Sequence, residues 1–117
     1  MKLAASIGAA VAVFALAAPV AGKPRPARCV IASAGNPEYR GPCSFAAEKG
    51  GSFDLSPIGR KPFSGEISSI SVFLTGKGEA EVSGLTRAGI NSRWGAARRS
   101  RRDPACWDGA DFRICVY

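Results

Sequence analysis

The sequence contains no histidine. Ser–His and Cys–His nucleophile pairs are therefore excluded, together with the many zinc sites that use imidazole. Acidic residues are scarce as well, nine Asp and Glu against 16 Lys and Arg, giving a formal net charge of +7. No Gly-x-Ser-x-Gly elbow occurs, no serine is followed three residues later by lysine, and "GKGEAE" at 76–81 lacks the spacing and following helix of a phosphate loop. These absences leave no enzyme signature, so a non-enzymatic protein without cofactor or metal is expected. Beyond residue 22 no apolar run approaches the ~20 residues of a membrane helix, so no transmembrane segment is expected in residues 23–117.

What is present begins with "MKLAASIGAAVAVFALAAPVAG", residues 1–22. A lysine, an apolar run and a small-residue exit are the pattern of a secretory signal peptide cleaved after Gly22. The competing membrane-helix reading is disfavoured because the run breaks at Pro19. Residues 23–28, "KPRPAR", offer positive charge and two prolines with nothing to bury, and read as a flexible basic arm. Residues 29–117 then form one small domain, working in the periplasm or outside the cell.

So small a chain is marginal without covalent staples. Cys29, Cys43, Cys106 and Cys115 provide them: an even cysteine number in an exported chain points to disulfides, and zinc ligands usually sit two to four residues apart, closer than these. Three pairings exist. The sequential one, Cys29 with Cys43 and Cys106 with Cys115, needs only two hairpins, and a loop of ~15 residues contributes roughly 3 kcal/mol in the chain-entropy model. A crossed pairing tying the first strand to the last stays open.

The intervening chain reads as short strands punctuated by turns. "CVIAS" and "CSFAA" flank the turn-rich "GNPEYRGP", and "EKGG" leads into "SFDLS". In "ISSISVFL" Ile70, Val72 and Leu74 share one face, the period of two expected of a half-buried strand. "EAEVSG" alternates Ala80 and Val82 with Glu79, Glu81 and Ser83, and "FRICVY" alternates Phe112, Ile114 and Val116 with Arg113, Cys115 and Tyr117. Five or six strands with little helix imply an all-β fold, a small antiparallel sandwich or partly open barrel stapled by two disulfides.

One segment breaks the charge balance. "RWGAARRSRR", residues 93–102, holds five arginines and no acid. Two conformations suit it: a short helix capped by Asn91 or Ser92 and stopped by Pro104, which gathers Arg98, Arg99, Arg101 and Arg102 on one side, or a loop from which they fan out. In either, Arg93, Arg98, Arg99, Arg101 and Arg102 form a candidate anion-binding surface, because the planar guanidinium donates two parallel hydrogen bonds to phosphate or carboxylate. Trp94 belongs to this candidate site as a stacking platform, although a ring tucked into the domain is the favoured reading for it. Trp107 is read as a core aromatic beside a disulfide. Asp103, Asp108 and Asp111 are read as turn and ion-pair residues in preference to a calcium site, and Glu79 and Glu81 as the wet side of a strand in preference to a catalytic pair.

"YRGPCSF", the following "GGSF" and the closing "ACWDGADFRICVY" together resemble a family of small exported bacterial proteins of unassigned function. That resemblance implies a framework of Tyr39, Gly41, Cys43, Phe45, Gly51, Phe53, Cys106, Trp107 and Cys115, and it brings no activity. The sequence departs from the family in the arginine segment, which is more basic and lacks the histidine that other members carry.

The combined expectation is a monomeric binding protein that engages an anionic partner through the arginine segment, either an envelope polymer or an acidic protein surface. Nucleic acid fits the compartment poorly. An inhibitor of a hydrolase such as a lysozyme, and a structural envelope protein, are the alternatives.

Overall fold

A computed structural model describes residues 23–117. The proposed signal peptide, 1–22, lies outside the described residues. Eight antiparallel strands follow one another around a closed barrel: β1 Arg25–Ser33, β2 Tyr39–Ala47, β3 Phe53–Pro57, β4 Ile67–Gly76, β5 Glu79–Thr86, β6 Asn91–Arg99, β7 Cys106–Gly109 and β8 Phe112–Val116. The all-β expectation holds, and the sheet is fully closed. β1 pairs with β2 along one side and with β8 along the other, Cys29 opposite Val116 and Ile31 opposite Ile114.

Alternation fixes which residues face inward. Ile31, Leu55, Ile70, Val72, Val82 and Ile114 are almost fully buried, and burying each such side chain is worth roughly 1.5–3 kcal/mol. Closure demands strong curvature, and three register shifts supply it, at Ile67/Ser69 and Leu74/Gly76 between β4 and β5 and at Val82/Ser83 between β5 and β6. Small residues make room for the large rings inside. A Cβ on Gly84 would stand 2.8 Å from Nε1 of Trp94, and one on Gly109 would overlap the ring of Phe112.

The disulfides follow the sequential pairing, Cys29–Cys43 and Cys106–Cys115. They lie on opposite sides of the wall. Cys29 and Cys43 belong to the hydrophobic core, whereas Cys106 and Cys115 face each other across β7 and β8 on the side of the sheet turned away from Trp107 and Ile114. Disulfide-stapled folds of this kind belong to oxidising compartments outside the cytoplasm. Among the described residues no helix is long and apolar enough to cross a membrane.

Two expectations change. The first concerns residues 93–102, which form no helix: 91–99 is strand β6, and 100–105 is a turn. Gly95 has φ +117°, which no α-helix accommodates, and the segment has no apolar stripe at helical spacing to bury. As a strand it satisfies its backbone groups between β5 and β7. The second concerns the basic arm, most of which is the start of β1, with Arg25 opposite Phe45 and Ala27 opposite Cys43. Pro26 is tolerated because the ladder to β8 has not yet begun there, so its missing N–H faces no partner strand. Trp107 is the core aromatic expected, buried in the barrel interior on the face of β7 opposite Cys106.

The barrel therefore has two unlike ends. The lower end carries the β1–β2, β3–β4, β5–β6 and β7–β8 connections, and Phe63 of the β3–β4 loop packs there edge-on against Tyr39 with ring centres 5.1 Å apart. The upper end carries the start of β1, the other three connections and the end of β8.

Candidate functional site

The arginine segment is divided by the pleat of β6. Arg93 and Arg98 point outward, where β5 presents Glu81 and Glu79. Nε of Arg93 bonds Oε1 of Glu81, and Nη2 of Arg98 lies 3.8 Å from Oε1 of Glu79. The Glu81 contact holds the Arg93 guanidinium above its ordinary pKa. Two of the five arginines thus meet acids that lie far from them in sequence and beside them in the sheet.

Arg99 is different. It occupies an inward-facing position at the upper end, two residues beyond buried Ala97, and its guanidinium carbon lies 5.3 Å from the centre of the Trp107 ring. Its Nε donates to the carbonyl of Pro104 at 2.8 Å. Arg101 and Arg102 are exposed in the turn that follows. Polar groups of the segment itself hold that turn: Ser100 Oγ accepts from the backbone N–H of Arg102 and Asp103, each at 3.2 Å, and Asp103 Oδ1 accepts from Ala105 N at 3.1 Å. Among the described residues Arg99, Arg101 and Arg102 have no carboxylate within salt-bridge distance.

Asp103, the acid nearest these arginines in sequence, is engaged elsewhere. Its Oδ2 accepts from the Tyr117 hydroxyl at 2.5 Å. That bond, with a smaller contribution from Ala105 N–H, holds the Asp103 carboxyl below the usual carboxylate range, and it raises the Tyr117 hydroxyl above its ordinary value. Asp108 is likewise taken up by Arg113, 3.2 Å away across β7 and β8.

The upper end also opens into a cup of about 290 Å³. Phe45, Phe53, Leu74 and Trp107 line it, and Arg25 and Arg99 stand on its rim. Arg25 covers Phe45 as Arg99 covers Trp107, with its guanidinium carbon 4.5 Å from the ring centre. Phe45 and Phe53 lean on each other with ring centres 5.1 Å apart. Ser52 fixes the near wall. Its hydroxyl accepts from Leu74 N at 2.9 Å, and its carbonyl accepts from Glu48 N at 2.7 Å, so the β2–β3 turn is tied to the end of β4.

Of the residues expected to bind anions, Arg99, Arg101 and Arg102 gather at this upper end, while Arg93 and Arg98 sit on the outer wall. Trp94 stands apart from the cup. It is the unpaired residue at the β5–β6 bulge, half-buried over Gly84, and its ring centre is 5.7 Å from that of Phe112. The tryptophan that meets an arginine of the segment is Trp107.

The sequence pattern does not bring Arg25, within the stretch that reads as a flexible arm, to the site, nor the ring wall of Phe45, Phe53 and Leu74. The available signal was the register of the hairpins: Phe45 and Phe53 flank one turn, and Leu74 ends an alternating strand. The Tyr-x-Gly-Pro run gains a local explanation, because the Tyr39 hydroxyl folds back over Gly41 and donates to the Pro42 carbonyl at 2.5 Å. No protein-family model, curated protein or solved structure matches the chain.

Proposed function

We propose that the protein is a non-enzymatic binding protein of the periplasm or the cell exterior that engages an anionic envelope polymer with the upper end of its barrel. The observation that carries this reading is the sorting of the arginines, with Arg93 and Arg98 answered by Glu81 and Glu79 and with Arg99, Arg101 and Arg102 left, among the described residues, without a carboxylate partner. The topology brings Arg25 at the start of β1, Lys49 in the β2–β3 turn and Lys77 in the β4–β5 turn to the same end, all exposed, against Glu48 beside Lys49 and Glu79, which faces Arg98. A local excess of positive charge draws in a polyanion and holds it without a shaped pocket. Each cation near an anionic surface contributes about 1 kcal/mol, so three to five of them suffice for weak, salt-sensitive association.

The barrel wall is charged outside at β5 and β6 and apolar inside, the reverse of a membrane barrel, which favours action at the envelope surface. The test is binding of oxidised 23–117 to lipopolysaccharide and to dextran sulfate at low and physiological salt. The triple variant R99Q/R101Q/R102Q is expected to lose most of the binding and most of its salt dependence, and R93Q/R98Q to lose little. Equal behaviour of wild type and the triple variant would overturn the reading and leave a structural envelope role.

A further inference from the structure

The upper end carries a second recognition element that charge attraction to a polymer does not use. A polyanion needs only exposed cations, whereas this end also holds a cavity. We propose that the cup is a binding site for a small amphipathic acid, a single carboxylate on a short apolar body, with the body among Phe45, Phe53, Leu74 and Trp107 and the carboxylate between Arg25 and Arg99.

Size, lining and charge agree on that class of ligand. The cup's volume of about 290 Å³ sits at the lower bound of small-molecule pockets, ~300 Å³, and equals the liquid volume of about ten waters. That suits a body of eight to ten carbons, roughly, and is too small for a lipid with several chains. Three aromatic rings and a leucine supply the apolar part of a lining that is about equally polar and apolar, and apolar surface joined by a few convergent polar groups is the usual composition of a ligand site.

The polar groups are two guanidinium ions. Each lies over one of the rings that line the cup, a placement that limits the rotamers it samples before a ligand arrives. Among the described residues neither has a carboxylate partner. Arg99 spends only Nε on the Pro104 carbonyl, which leaves its terminal nitrogens to donate. Arg25 makes only a long contact of 3.5 Å to its neighbour's carbonyl. An acid that enters body first brings its charge level with this pair, and a neutral molecule of the same shape gains the apolar contacts alone.

This inference shares Arg99 with the polymer reading but does not rest on it, and the two separate experimentally. Oxidised 23–117 is titrated with octanoate and with its uncharged counterpart 1-octanol, followed by Trp emission. Trp94→Phe assigns the signal to Trp107. Octanoate is expected to saturate at about 0.1–1 mM and to bind about ten-fold more tightly than 1-octanol, the scale of a lost hydrogen bond to a charged group. R25Q and R99Q replace exposed side chains and spare the core. Each is expected to weaken octanoate several-fold and to leave 1-octanol unchanged.

R101Q/R102Q is expected to weaken dextran sulfate and to leave octanoate untouched. Absence of a saturable signal, equal affinity for acid and alcohol, or an equal effect of R99Q and R101Q/R102Q on octanoate would each overturn the proposal. Octanoate binding with no dextran sulfate binding would sustain the cup and remove the polymer reading, and the converse result would do the opposite.

Discussion

Arg98 and Arg99 are neighbours in the chain and belong to different environments: Arg98 reaches across the outer wall to Glu79 at 3.8 Å, and Arg99 lies over the Trp107 ring at 5.3 Å. The pleat of one strand converts a run of like charges into a partly neutralised wall and an unneutralised rim. Exposed pairs such as Arg98–Glu79 are worth little to stability, about 0–1 kcal/mol. Their main effect is on which arginines a solute can find.

That effect is open to test from the acidic side. E79Q/E81Q is expected to release Arg93 and Arg98, raising affinity for dextran sulfate at low salt and steepening its salt dependence, with thermal stability nearly unchanged. Titrations at several salt concentrations measure it, and an affinity no higher than wild type would show that the wall is not part of the field a polymer meets.

The glycines facing rings set a steric limit on the barrel interior. Gly84→Ala places a Cβ against the half-buried Trp94, which has some freedom to move, and is expected to cost about 1–3 kcal/mol as an overpacked site. Gly109→Ala drives a Cβ into the ring of Phe112, which is only 6% exposed, and is expected to cost more. Urea unfolding of both variants checks the order.

The two disulfides are expected to differ in their contribution. Both pairs are buried, but Cys29–Cys43 closes the longer loop, with a sequence separation of 14 against 9 for Cys106–Cys115, and it alone belongs to the central core cluster. C29A/C43A is therefore expected to lose at least ~3 kcal/mol, and C106A/C115A less. Denaturant titration under oxidising conditions compares them, and a larger loss from the outer pair would contradict the assignment of Cys29–Cys43 to the core.

The Tyr117–Asp103 hydrogen bond makes stability depend on pH at both extremes. The Asp103 carboxyl is held low by this bond, so its contribution is full above the ordinary Asp value, about 3.9, and fades as pH falls through the lower folded value. The Tyr117 hydroxyl is held high by the same bond, so its contribution is full below the ordinary Tyr value, about 10, and fades as pH rises through the higher folded value. The stability difference between wild type and Tyr117→Phe is therefore expected to be flat between those values and to shrink outside them. Thermal melts across the pH range measure it, and a difference independent of pH would show that the bond does not form.

How much of this was legible in the sequence depends on where each strand keeps its apolar residues. β4, β5 and β8 alternate cleanly and were readable, as was the β2–β3 turn at "EKGG". β6 was not, because its inward positions are Gly95, Ala97 and Arg99, with Trp94 displaced by a bulge. β7 has four residues and hides behind a turn-like Asp108–Gly109. The candidate site was legible as charge and illegible as shape: the segment's arginines are local in sequence, whereas the cup draws on every strand but β5 and exists only after closure.

Closure itself has a consequence for how the chain is made. The ladder between β1 and β8 joins the two extremes of the domain, so the first strand to emerge must wait for the last before its second edge is covered. Contacts so distant in sequence slow folding, and an uncovered edge during that interval invites pairing with other chains. The Cys29–Cys43 bond links β1 to β2 within a short stretch, so its early oxidation would keep the leading hairpin intact until the final strand arrives.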